Sequence, residues 1–253
     1  MDDFNLTFPS VKYDPLMKPE PIRWLVDGLW QLGKINGVAA FEKAGKSRLI
    51  NYVLAGLPTG NVLGMATAGE QRILYLCGEE QVSHVSTRLG KYGNLQGLEG
   101  HQYDIDFIEA AGMRLDARDQ RKSLTDRILG DDRNMLIIDP WRRVHNADEN
   151  DSNSMSYLYN WMRSISNVHG ITIILVHHTP KISEDTDLSR IASWFRGSTD
   201  LAAILDTAQY VNRVSKSKID VRRQGRFPPP LAPLAIIDNG GTSLNDDLGF
   251  DRK

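Results

Sequence analysis

Short apolar runs recur along the chain, separated by longer stretches in which apolar residues return every three or four positions. The runs "INGVAAF", "RILYLCG", "YDIDFIEA", "NMLIIDP" and "ITIILVHH" each end near Gly, Pro or an acid and read as buried strands. Between them, Leu49, Ile50, Val53, Leu54 and Leu57 line one face of a helix, and Met155, Leu158, Trp161, Met162 and Ile165 line another. Strand and helix patterns in alternation predict an α/β fold with a mostly parallel central sheet flanked by helices. From about Thr207 the pattern returns to strands, "TAQYVNRV" and "LAPLAIID", joined by a basic, proline-rich turn, "VRRQGRFPPP".

The ends read differently. Residues 1–22, with Pro9, Pro15, Pro19 and Pro21, predict an extended arm, residues 23–239 a single domain, and residues 240–253 a polar, flexible tail. No internal repeat is present.

Composition narrows the classes. The chain has 253 residues, is 41% hydrophobic and 25% charged, and so has the material for a full core. Its formal net charge of -2 gives no overall basic field, so any grip on nucleic acid must come from local Lys and Arg. The lone cysteine, Cys77, allows no internal disulfide. The apolar runs are too short to span a bilayer and "MDDFNLTF" lacks a signal pattern, so the expectation is a cytoplasmic protein with no membrane partner.

Candidate chemistry begins at "AFEKAGKS". A phosphate-binding loop reads G-x-x-x-x-G-K-[ST], and here Ala40 stands in the first glycine's place. Phosphate binding needs backbone N–H groups converging on one concavity, a lysine for the outer phosphates and a hydroxyl for Mg²⁺. Ala44, Gly45, Lys46, Ser47 and Arg48, between a strand and a helix, supply that set for ATP. Alanine can stand at the first position if its φ stays negative. In "LIIDP", Asp139 ends a buried strand where such a site opens, and is assigned with Ser47 to Mg²⁺.

The run from "WLVDGLW" through the loop, followed by "RILYLCGEE", "LIIDP", "VHHTPK" and "RGSTDL", resembles the RecA-like hexameric helicase ATPases, nearest the plasmid RepA helicase group. The resemblance spans about Trp24 to Val214 and rests on the order and spacing of five motifs. DnaB-type relatives also carry alanine at the first loop position. The resemblance implies a RecA-like P-loop NTPase core in which Glu79 activates water, with Glu80 the rival acid. It implies that His178 touches the γ-phosphate and that Arg196, in "RGS", is an arginine finger crossing to a neighbouring subunit. Arg213 and the arginines of "VRRQGR" are rival fingers. A zinc site on His177 and His178 is the competing reading of that pair. Adjacent strand residues point apart, and no third His or Cys lies at ligand spacing.

The same resemblance places DNA loops after "LIIDP" and "VHHTPK". Arg142, Arg143 and Lys181 are the cations for phosphate there, and Trp141 is available for stacking. The acids of "NADEND" and "KISEDTD" work against a polyanion. The implied function is an ATP-dependent helicase or translocase on single-stranded DNA in replication. It would act as a homo-oligomer, a hexameric ring, with a replication initiator or primase as further partners, and a phage or plasmid source suits it. The alternative is a RecA-core recombination or strand-annealing ATPase; a small-molecule kinase is the third option. None of the five motifs places a second cation beside the phosphate loop from the same subunit.

Overall fold

The computed structural model describes residues 12, 14–18, 20–179, 193–195, 199–226, 231–239 and 249–252. Along the chain run β1 (Trp24–Val26), β2 (Trp30–Gln31), β3 (Ile35–Ala40), α1 (Lys46–Gly56), β4 (Asn61–Val62) and β5 (Met65–Ala66). Then come β6 (Ile73–Cys77), α2 (Val82–Leu95), β7 (Ile105–Glu109), α3 (Arg118–Gly130), β8 (Met135–Asp139) and α4 (Ser152–His169). The series closes with β9 (Thr172–His178), α5 (Thr199–Ile204), β10 (Thr207–Arg213), β11 (Lys218–Gly225), β12 (Leu234–Asp238) and β13 (Phe250–Arg252).

One nine-stranded sheet organises the molecule, in the order β13-β12-β11-β10-β3-β9-β8-β6-β7. From β10 to β7 every pairing is parallel; β11, β12 and β13 extend the sheet antiparallel from β10. Parallel strands covered on both faces must be apolar throughout, which is why these runs do not alternate in sequence. Their side chains still sort by parity. Met135 and Ile137 of β8 face the cluster containing Leu49, Ile50, Val53 and Leu54 of α1, whereas Leu136 and Ile138 face Met155, Leu158, Trp161 and Met162 of α4. Both predicted helix faces are buried throughout.

Two sequence expectations are corrected here. The basic part of "VRRQGRFPPP" is not a turn: Val221 to Gly225 complete β11, where Val221 pairs with Val211 and the buried Ile219 and Val221 supply the strand's inner face. The end of the chain is not wholly a loose tail either. Phe250, Asp251 and Arg252 pair with β12, and Phe250 is 1% exposed against Tyr52, with ring centroids 5.4 Å apart.

Candidate active site at the phosphate loop

Parallel strands end together, and a site opens at their carboxyl edge. Ala40 of β3 lies opposite His178 of β9, and Cys77 of β6 lies opposite Asp139 of β8. The loop after β3, the acids after β6, Asp139 and His178 therefore share one edge of the sheet.

The missing glycine has a structural reading. Ala40 is the last residue of β3, fully buried, and paired with strands on both sides. Its backbone is extended, so a Cβ there meets no conformational penalty, and its methyl group packs in the α1-side core. The left-handed positions fall later, at Lys43 (φ 60°) and Gly45 (φ 93°), the residue that opens α1. Ala44 is buried, and Lys46 follows at the helix start with only 8% exposure.

Asp139 is buried beside Lys46 and accepts hydrogen bonds from Ser47 and, at 2.9 Å, from the Tyr75 hydroxyl. Burial raises its carboxyl above the usual range, and Lys46, Ser47 and Tyr75 oppose that rise. A hydroxyl and a carboxylate are hard oxygen donors, and they suit Mg²⁺, which completes its shell with phosphate and water. Sequence reasoning missed Tyr75. Its only signal was period-two parity with Cys77, and without the β6–β8 register that parity has no partner.

The two acids of "CGEE" separate. Both lie beyond the end of β6, so strand alternation does not govern them. Glu80 is taken by both terminal nitrogens of Arg88 on α2. Glu79 accepts from Arg143 Nε at 2.9 Å and lies 3.6 Å from His178 Nε2. With Ser47, Tyr75 and Asp139 it lines a cavity of about 210 Å³. It also borders a larger one, about 510 Å³, edged by Glu42, Arg114, Arg142, Arg143 and His178. Burial and nearby Lys46 lower the His178 imidazole below its ordinary value, with Glu79 pulling the other way, which favours a neutral ring at neutral pH.

Below this edge lies a buried group that the sequence did not reveal. Glu149 Oε1 sits 3.3 Å from His177 Nε2 and 3.5 Å from His145 Nε2. Burial pushes the Glu149 carboxyl up, but hydrogen bonds and charge from the two histidines outweigh it and hold it at about 2. The acids of "NADEND" are thus employed locally: Glu149 is buried, Asp148 accepts from the Asn150 amide, and Asp151 caps α4.

Several polymer and finger calls change. Trp141 is fully buried, its ring 4.6 Å from that of His145, so it offers no face for stacking on a base. Arg142 is exposed and leans toward the His145 and Ala147 carbonyls; Arg143 is exposed and pairs with Glu79. Lys181 and Arg196 lie outside the described residues. Arg223 donates to the Ala232 and Gly28 carbonyls, within its own chain. Arg48 forms a two-point pair with Asp238, both contacts at 3.1 Å. Arg213 lies against its own phosphate loop, so a second same-chain cation does stand there.

A phosphate loop on a strand-to-helix turn, with a buried strand-end aspartate and a glutamate on the adjacent strand's exit, defines a P-loop ATPase core of RecA-like architecture. The AAA domain family matches residues 7–184, and the chain belongs to that family. Among solved structures, it is similar to the ATPase domain of a helicase, at 12% identity and a TM-score of 0.63, covering 87% of this chain and 84% of that one. No curated protein matches it in sequence.

Proposed function

We propose that this ATPase domain is a translocase on single-stranded DNA, a replicative helicase core that hydrolyses ATP at the interfaces of a ring. The observation that carries the reading is the meeting of Glu79, His178 and Arg143 in one cluster beside the loop bearing Lys46. Arg143 belongs to the segment after β8 and His178 to the end of β9, so nucleotide state and both candidate polymer segments share one set of contacts.

Lys46 binds the outer phosphates and Ser47 with Asp139 would hold Mg²⁺, which supplies charge neutralisation on the phosphates when bound. Glu79 accepts the proton of the attacking water, and the neutral His178 hydrogen-bonds at the γ-phosphate end. Arg142, Arg143 and Lys181 are the proposed contacts to the polymer, and Arg196 the charge lent by the next subunit. The exposed arginines around the larger cavity support a phosphate partner, while the net charge of -2 confines that partner to this edge. The resemblance to hexameric relatives supports a head-to-tail assembly.

Displacement of a strand from a tailed duplex tests this directly. ATP-dependent displacement supports a helicase; DNA-stimulated turnover that anneals strands without separating them favours the recombination alternative.

A further inference from the structure

β10 carries a second cation to the phosphate loop. It pairs in parallel with β3, Val211 opposite Ala40, so Arg213 emerges just beyond the point where the loop begins. Its guanidinium leans on that loop: a Cβ added at Gly45 would stand 2.8 Å from Arg213 Nη2. Nη1 donates to the Lys216 carbonyl at 3.0 Å, Nη2 donates to Asp238 of β12, and Nε is buried without a hydrogen-bond partner among the described residues.

Asp238 is the hub. Its side chain is 1% exposed and accepts from Arg213 and from both terminal nitrogens of Arg48, in the first turn of α1. Two guanidiniums on one carboxylate leave an excess positive charge beside the loop. Burying such a group gains little stability over apolar packing, so fastening β12 to α1 and β10 does not by itself account for it. The loop amides near Gly45 cradle the α- and β-phosphates, an anion that the excess charge complements.

We propose that Arg213 is a second nucleotide-binding cation, supplied by the same chain as Lys46 and aimed by Asp238 at the phosphates that ATP and ADP share. This rests on the reading of the loop as a nucleotide site. It also removes Arg213 from the candidate fingers, because its guanidinium is committed to its own loop.

The test is equilibrium binding of fluorescent ATP and ADP analogues to the full chain, with melting temperature measured alongside. Arg213→Ala is expected to weaken both nucleotides alike, by about ten- to hundredfold, the size of a lost charge-assisted hydrogen bond. Arg213→Lys recovers part of the loss, and Asp238→Asn shows a smaller loss in the same direction. If the alanine variant melts below the assay temperature, Arg213→Gln keeps a donor to Asp238 without the charge and carries the same test. Unchanged affinities with a lower melting temperature would show a fastening role only and overturn the proposal. Intact ADP binding with lost ATP turnover would make Arg213 a γ-phosphate finger, and so would restored turnover when Arg213→Ala and Lys46→Ala subunits are mixed. A wild-type chain that binds neither nucleotide sinks the underlying reading; wild-type binding lost in Lys46→Ala but kept in every Arg213 variant sinks this inference alone.

Discussion

Glu79 and Glu80 are chemically alike and adjacent, and their partners divide the work between them. Arg88 occupies both oxygens of Glu80, whereas Glu79 faces Arg143 and His178 at the mouth of the cavity. Glu79→Gln is therefore expected to keep nucleotide binding and lower turnover by about two to four orders of magnitude, the scale of a lost general base. Single-turnover kinetics on both amide variants checks it; the larger loss in Glu80→Gln would reverse the assignment. Glu149 carries a stability prediction with a definite sign. Its carboxyl is depressed from 4.5 to about 2 in the folded chain, so the stabilisation is present above pH 4.5 and lost as pH falls toward 2. Melting of the wild type and of Glu149→Gln from pH 7 down to pH 3 should show the wild-type advantage shrinking below about pH 4.5; an advantage that grows on acidification would contradict it.

The parallel strands and α1 and α4 were legible because their patterns are local. Runs of Ile, Leu and Val marked β3, β6, β8 and β9, and helical spacing marked both buried faces. The phosphate loop, Asp139 and Glu79 were legible because each sits at the end of such a run. What pairing creates was not legible: Tyr75 on Asp139 needs the β6–β8 register, Glu149 needs the approach of the β8 exit to β9, and Arg213 needs β10 beside β3. Trp141 read as a stacking ring because aromatic content alone does not report burial. The antiparallel extension was misread where proline and arginine suggested a turn, although Val221 packs inward from the midst of it. At the last element, Phe250→Ala should cost about 3–5 kcal/mol, since it empties a buried aromatic site. Chemical denaturation measures this; a change near zero would return residues 249–252 to the status of a tail.

At the scale of the molecule, one edge of the sheet gathers Lys46, Ser47, Asp139, Glu79 and His178, while Arg142 and Arg143 project from the segment that follows β8. Nothing in the overall charge would hold a polyanion elsewhere, so recognition of DNA and hydrolysis of ATP are expected to be one coupled event at this edge. Binding to single strands should weaken with added salt, and each arginine removed should flatten that dependence by about one unit of slope. The central claim is that turnover answers to the polymer through this edge. Steady-state ATP turnover of the wild type, with and without single-stranded DNA and beside Lys46→Ala as the inactive reference, tests it most directly. The account predicts turnover that rises when single-stranded DNA is added, falls back with salt, and is absent in Lys46→Ala; equal turnover with and without DNA at every salt concentration would contradict it.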